Sequence, residues 1–463
     1  MKVLQVEFNE LSPQLLRQFM DAGLLPHFQA FYESSHVFTT DAHAEPPNLE
    51  PWIQWPTVHL GVSHLQHGLR HLGDVHDADP GEFPFPPVGQ VVSDAGLRVG
   101  IFGAMNVPYG DLSGFYVPDP WNTAARPRPD SLAPYLRTVG SMVRDSSRTE
   151  GETPDAGLLP FGAFMLRHGL TPATTAVLAR QLLAERRDRG VRWRRASALD
   201  WIQYDVFRHY AKHERVDFAT FFSNSTAHYQ HYFWRHMNPE AFDVPPEASD
   251  HPSYTAAVLC GYQSMDRILG RMLRDFPDAV LVLCTALSQE PWTDATKVTY
   301  RPRDWNSFLQ LAGLSARGVD IQTIMAEEFV LRFPDEDGAI RAQEAFDRLR
   351  LGDQRLMRFT RDGSSLLGGC DIVHSGATGS RITGTADDSE PVMGDLFSPI
   401  HTVRSGRHSG EGALWFRTGE HVVHDEPADL EDIAPTVLDL LGVKRPDHMT
   451  GSVLPLGERA ARR

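Results

Sequence analysis

Cysteine is scarce in this chain of 463 residues, which has only Cys260, Cys284 and Cys370, and none of them stands in a C-x-x-C pair. Disulfide-stapled domains need several closely spaced cysteines, and thiolate zinc sites need paired ones. The cysteine content therefore argues against both kinds of organisation.

Long uncharged apolar runs are also missing from the sequence. A transmembrane helix needs about 20 consecutive apolar residues, and a secretory leader needs an apolar segment behind a basic start. Residues 1–13, MKVLQVEFNELSP, contain no such segment. We therefore expect a soluble, cytoplasmic protein with no membrane association.

Basic residues are outnumbered, because 44 Lys and Arg stand against 60 Asp and Glu, and the formal net charge is -16. Proteins that bind the phosphate backbone of nucleic acids present a basic surface. We therefore expect no nucleic-acid partner. A local basic pocket is compatible with this charge, and a small anionic molecule is the substrate we expect.

Apolar residues make up 41% of the chain, enough for a large core. Residues 3–8 read as a buried strand that is followed by a loop and a helix. Residues 279–284, AVLVLC, form an uninterrupted apolar run typical of a central parallel strand buried on both faces. These patterns predict an α/β fold with a mostly parallel central sheet, in which the chemistry lies at the carboxyl ends of the strands.

The most distinctive segment is residues 404–451. His408 lies in a Gly/Ser turn ahead of an apolar strand at 413–416, and a helix then runs through Pro435 to a stop at Gly442. This order resembles the closing segment of the alkaline phosphatase superfamily, in its type I phosphodiesterase/nucleotide pyrophosphatase branch. The resemblance implies an alkaline-phosphatase-like fold in which His408 is a metal ligand.

Further segments resemble the same family. Asn9-Glu10 stands where the family has the first-strand motif DGxSP, and Trp55 belongs to a stretch similar to PAWTSxxTGxxPxxHG. Residues 227–234 resemble DHxxHxxW and keep its second histidine as His231. For such proteins the resemblance implies two metal ions and a Thr or Ser nucleophile.

The sequence departs from the family pattern at each part of that machinery. Asn9 replaces a ligand aspartate, Pro51 stands at the nucleophile position, and Ala227 replaces a second aspartate. The strand that should end in SDHG is followed by Thr285-Ala286-Leu287-Ser288 instead. The nearest hydroxyl to the nucleophile position is that of Thr57. A complete two-metal site is therefore not expected.

Two histidines and a carboxylate can hold a single divalent metal with open positions. We predict one ion, zinc first with iron or manganese as alternatives, bound by His231, His408 and either Glu50 or Glu10, with Asn9 as a weaker ligand. Glu50 could serve as a general base instead. The predicted catalytic residues are Glu50, Thr57 and Glu10; the predicted substrate-binding residues are Asn9, Arg404 and His228; the predicted metal ligands are His231, His408, Glu50 and Asn9.

Two functional classes follow from these residues. The first is a metal-dependent hydrolase of a phosphate, phosphonate or sulfate ester, similar to a phosphodiesterase. The second is a degenerate member of the family that binds a ligand or performs non-hydrolytic metal chemistry. The predicted organisation is a core α/β domain at 1–131, 214–295 and 400–463, with a helical insertion at 132–213 and an α/β cap insertion at 296–399.

Overall fold

The structure of the protein is a computed structural model. It describes residues 1–75, 83–122, 125–145, 158–294, 298–323, 328–374, 376–400 and 404–457. The α-helices are α1 (Pro13–Asp21), α2 (Pro26–Tyr32), α3 (Pro51–Leu60), α4 (His64–His67), α5 (Val88–Asp94), α6 (Ala133–Asp145), α7 (Leu158–Arg167), α8 (Pro172–Arg187), α9 (Arg195–His213), α10 (Ser225–Met237), α11 (Ala257–Asp275), α12 (Trp305–Leu311), α13 (Glu336–Phe346), α14 (Met393–Leu396) and α15 (Ile433–Leu441).

The β-strands are β1 (Val3–Phe8), β2 (Ser35–Asp41), β3 (Val99–Phe102), β4 (Phe115–Val117), β5 (Phe218–Ser223), β6 (Val280–Cys284), β7 (Ser288–Pro291), β8 (Thr299–Pro302), β9 (Asp320–Thr323), β10 (Phe329–Arg332), β11 (Arg350–Leu351), β12 (Gln354–Arg355), β13 (Met357–Asp362), β14 (Ser365–Cys370), β15 (Ile382–Thr383), β16 (Phe397–Ile400), β17 (Gly406–Ser409), β18 (Glu411–Arg417), β19 (Val422–Val423) and β20 (Ala428–Asp429).

A nine-stranded sheet forms the centre of the fold, in the order β19-β2-β18-β6-β1-β5-β3-β4, with β20 beside β2. Strand β1 is parallel to both of its neighbours, β5 and β6, whereas β18 is antiparallel to β6 and to β2. Helices flank this mostly parallel sheet. The predicted α/β fold class is confirmed.

Each face of the sheet packs against its own hydrophobic cluster, because side chains alternate between the two faces along a strand. On β1, Leu4, Val6 and Phe8 belong to one cluster, and Val3 belongs to the other. Every residue of β1 is buried, including the polar Gln5 and Glu7, which share the face of Val3. The sheet is therefore covered on both sides, as the apolar runs in the sequence predict.

The C-terminal helix α15 also matches its prediction. Its residues Ile433, Val437 and Leu438 are fully buried against the sheet. Gly442 follows the helix at φ 68°, in the left-handed conformation that ends many helices and that glycine adopts without a Cβ penalty. In the part of the chain that the structure describes, none of the helices combines the length and apolar character needed to cross a membrane.

The two regions predicted as insertions pack differently from each other. Helix α9 joins the core of the sheet, because its Tyr204 and Phe207 pack in the same cluster as Phe221 of β5. In contrast, the segment from Tyr300 to Phe397 has a hydrophobic cluster of its own. That segment carries the antiparallel sheet β13-β14-β10-β9. The domain boundaries stay predictions, and the one at residue 296 lies outside the described residues.

Candidate metal centre

Three chain segments converge at the carboxyl end of β1. After β1, Glu10 adopts φ 58° and forms a parallel bridge to Ser288 at the start of β7. Strand β7 pairs with β17 as a two-stranded ribbon in which Gln289 lies opposite His408. Helix α10, which follows the neighbouring strand β5, brings His231. The topology thus places a carboxylate and two imidazoles at one strand end.

Glu10, the residue at the centre of the group, has a left-handed backbone conformation. A glycine would adopt it freely, whereas a residue with a Cβ pays about 1–2 kcal/mol. Glu10 stands at the position where the family motif has glycine. Strain of this kind persists where the surrounding structure holds it and is often found at functional sites.

Glu10, His231 and His408 form a group whose ligand atoms all lie within 4.8 Å of one another. One carboxylate oxygen, Glu10 Oε2, is 3.0 Å from His231 Nε2 and 3.4 Å from His408 Nε2. Among the described residues, this is the group in which three potential ligands lie close enough together to hold a metal ion. Two imidazole nitrogens and a carboxylate oxygen suit zinc or another divalent transition metal.

The backbone fixes the orientation of both imidazoles. His231 Nδ1 is 2.9 Å from the carbonyl oxygen of Gly406, and His408 Nδ1 is 3.0 Å from that of Leu49. A carbonyl oxygen only accepts, so each Nδ1 must carry the proton, and in the neutral ring Nε2 keeps its lone pair. Such an outer hydrogen bond is the usual partner of a metal-bound histidine. The donor set therefore fits a metal.

Glu10 is itself held by amide side chains. Gln289 Nε2 donates to Glu10 Oε2 and to the carbonyl oxygen of Ala227, and Asn9 Nδ2 donates to Glu10 Oε1 at 2.7 Å. Gln230 Nε2 donates to the Glu10 backbone carbonyl at 2.6 Å. Gln289 is not among the residues predicted from the sequence, and its place just beyond the end of β6 is the signal that could have indicated it.

Burial opposes the ionisation of Glu10, but the charges and hydrogen bonds of His408 and His231 outweigh it and hold the pKa of Glu10 well below its usual range. Burial likewise opposes the protonation of His408, yet the charge of Glu10 and hydrogen bonds to Glu10 and Glu50 raise the pKa of His408 to about 10. Without a metal, the group is thus an ion pair between a carboxylate and an imidazolium.

The two candidate carboxylates, Glu10 and Glu50, occupy different sides of His408. Glu50 Oε2 lies 3.4 Å from His408 Nδ1, the nitrogen that faces away from the group. Glu50 precedes α3 and its side chain is 27% exposed, whereas that of Glu10 is 3% exposed. The geometry favours Glu10 as the ligand and leaves Glu50 as an accessible carboxylate beside it.

Asn9 is oriented by Trp55, whose indole N–H can only donate. Trp55 Nε1 donates to Asn9 Oδ1 at 2.7 Å, and the Asn9 amide nitrogen therefore faces Glu10 and Asn224. A metal ligand would have to present its oxygen to the group. This arrangement argues against ligation by Asn9, because it makes Asn9 a support for the Glu10 carboxylate.

The remaining predicted site residues are Thr57, His228 and Arg404. The Thr57 hydroxyl is buried and its partners are the Ile53 carbonyl and His67 Nε2, neither of which belongs to the group. His228 is exposed on α10, near His231. Arg404 is half-buried at the start of the segment that leads into β17.

A second buried pair of a carboxylate and a histidine, which was not predicted from the sequence, lies further from the carboxyl end of β1. Glu7 Oε1 is 2.9 Å from His59 Nε2, and both side chains are fully buried. His59 Nδ1 is 2.8 Å from the Tyr109 hydroxyl, and Gln5 Nε2 donates to Glu7 at 2.8 Å. This cluster joins β1 to α3, the helix that carries Trp55.

Solved structures similar to this chain include murine ectonucleotide pyrophosphatase/phosphodiesterase 5, with 10% identity, 98% coverage of both chains and a TM-score of 0.41. Phosphonoacetate hydrolase from Sinorhizobium meliloti 1021 has 15% identity, 94% coverage of both chains and a TM-score of 0.37. The alkaline phosphatase PafA has 12% identity, 98% coverage of both chains and a TM-score of 0.44.

No protein-family model matches the chain, and no curated protein does.

Proposed function

We propose that the protein is a metal-dependent hydrolase of a small anionic ester, a phosphate, phosphonate or sulfate, with one metal ion held by Glu10, His231 and His408. The observation that carries this proposal is the convergence of two Nε2 atoms on one Glu10 oxygen, with both Nδ1 atoms held by backbone carbonyls. A divalent metal held there would supply a Lewis acid that polarises the ester and favours ionisation of water.

The protein residues have separable roles in this proposal. Glu10 neutralises part of the metal charge, and Gln289 and Asn9 keep its carboxylate in place. Glu50 is the accessible carboxylate next to the group and is suited to accept a proton from the attacking water. Pro51 occupies the position of the family nucleophile and has no hydroxyl, so attack by water replaces attack by a protein alkoxide.

The alternative is a degenerate protein that binds an ester, or performs other metal chemistry, without hydrolysis. The side chains at three family ligand or nucleophile positions favour it, because those of Pro51, Ala227 and Ala286 cannot ligate a metal or attack phosphorus. The two proposals share the metal site and differ in turnover, so one preparation can separate them. The cytoplasmic location expected from the sequence stays a prediction.

The first experiment is elemental analysis of the purified protein together with His408→Ala. We expect about one equivalent of zinc, iron or manganese in the wild type and a loss of most of it in the variant. His71→Ala, at an exposed histidine outside the group, is the matched control and should keep its metal. Equal metal content in all three proteins would refute the ligand assignment, and two equivalents would point to a dinuclear centre.

Turnover is then measured with bis(4-nitrophenyl) phosphate, 4-nitrophenyl phosphate and 4-nitrophenyl sulfate. Hydrolysis that disappears with a chelator and returns with the metal supports the hydrolase. Metal at one equivalent without hydrolysis of any ester favours the degenerate alternative.

A further inference from the structure

The hydrogen bonds around Asn9 determine how the side-chain amide of Asn224 is oriented. Trp55 can only donate, so Asn9 must present its oxygen to Trp55 and its two amide hydrogens to Glu10 and Asn224. Asn224 therefore accepts with Oδ1, at 2.7 Å from Asn9 Nδ2. Its own amide nitrogen, with two N–H donors, forms no hydrogen bond with any other described residue.

Asn224 is also held in position by its neighbours in the chain. The hydroxyl of Ser223 donates to Asp200 Oδ1 at 2.8 Å, and the hydroxyl of Ser225 donates to Asp200 Oδ2. These serines are buried on either side of Asn224, which is exposed. Hydrogen bonds thus hold the chain on both sides of the solvent-facing Asn224 side chain. Such an arrangement preorganises a binding group.

His228 lies on the same side of this segment. Between residues 221 and 230 the exposed residues are Asn224 and His228, and residues four apart on a helix are neighbours on its surface. The His228 backbone N–H bonds to the Asn224 carbonyl oxygen at 3.4 Å. Asn224 and His228 therefore present hydrogen-bond donors beside the metal-ligating group, to which Asn224 is linked through a single residue, Asn9.

We propose that Asn224 binds an anionic oxygen of the ester substrate, with one of its two free amide N–H groups directed at a non-bridging oxygen. This inference rests on the proposed function of the Glu10, His231 and His408 site. Asn224 adds donors without adding charge, and the negative charges of Glu10 and Glu50 offset those of a divalent metal, so the site suits a singly charged tetrahedral ester. A phosphodiester and a sulfate ester share that chemistry.

The test is the substitution Asn224→Asp, which has nearly the same shape. The aspartate can still accept from Asn9 Nδ2, but it turns an oxygen toward the substrate in place of the donors. Removal of one preorganised donor at an oxyanion costs about 10²–10³-fold in rate. We expect kcat/KM for the preferred ester to fall about 10²-fold or more, with the metal content unchanged. Asn238→Asp, the same change at an exposed position just after α10, should leave both quantities unchanged.

Binding of bis(4-nitrophenyl) phosphate and of 4-nitrophenyl sulfate to the metal-loaded proteins is measured by calorimetry alongside turnover. If the wild type binds an ester without hydrolysing it, the hydrolase proposal fails, and weaker binding by Asn224→Asp still supports the role of Asn224. The ester with the larger loss identifies the substrate class. Unchanged binding and kcat/KM in Asn224→Asp would overturn the inference. Loss of metal in that variant would overturn it too, because Asn224 would then act on the metal group through Asn9.

Discussion

Asp200 provides a pH-dependent test of how the segment around Asn224 is held. Burial on α9 raises the pKa of Asp200 to about 7 from its ordinary value of 3.8, although hydrogen bonds from Ser225 and Ser223 act to lower it. In the unfolded chain the carboxyl ionises at its ordinary value. Between pH 4 and pH 7 the folded protein therefore binds a proton that the unfolded chain has lost, and folding stability falls as the pH rises.

The size of this effect on stability follows from the difference between the two pKa values of Asp200, 3.8 and about 7. Each pH unit corresponds to about 1.4 kcal/mol, so the full effect on the free energy of unfolding is about 4 kcal/mol. The amide introduced by Asp200→Asn does not titrate, and a serine hydroxyl can rotate to accept a hydrogen bond from it. We expect the variant to gain stability relative to the wild type by about 3 kcal/mol between pH 5 and pH 8.

The assay is urea unfolding followed by tryptophan fluorescence at pH 5, 6, 7 and 8. Asp278→Asn, at an exposed aspartate, is the control and should show no pH-dependent difference from the wild type. Parallel stability curves for Asp200→Asn and the wild type across this range would refute the reasoning, because Asp200 would then be ionised in the folded protein.

Two further predictions concern other parts of the site. In Gly406→Ala a Cβ would lie 2.0 Å from Gln289 Oε1. We therefore expect the metal affinity to fall about 10–100-fold in a chelator competition. The control is Gly410→Ala, whose Cβ would have its nearest contact at 3.5 Å and which should bind metal normally. In Glu7→Gln the carboxylate 2.9 Å from the buried His59 Nε2 becomes an amide, and we expect the free energy of unfolding to fall by about 1–3 kcal/mol in urea; an unchanged free energy of unfolding would contradict the pairing.

Much of the fold could be predicted from the sequence because its signals are local. The apolar runs of β1 and β6 and the stop at Gly442 depend on neighbouring residues only, and the structure has these elements close to their predicted bounds. The resemblance to a family implied that His231 and His408 lie close together. Neither residue carries a local signal of its own.

The inner arrangement of the candidate site could not be predicted in the same way. The choice between Glu10 and Glu50 depends on a left-handed turn at Glu10 and on which imidazole nitrogen each carboxylate meets. The role of Gln289 depends on the register of β7 against β17, and these strands are more than 100 residues apart in the chain. Contacts between distant segments decide these features, and hydrophobic patterning does not encode them.

The ribbon of β7 and β17 has a mechanical consequence. The chain leaves for the segment with its own hydrophobic cluster, Tyr300 to Phe397, just after β7, and it returns just before β17. The outgoing strand β7 thus carries Gln289, which donates to the ligand Glu10, and the returning strand β17 carries the ligand His408. Because one two-stranded ribbon carries the ligand His408 and holds the ligand Glu10 through Gln289, a shift of the ribbon would move two ligands of the group together.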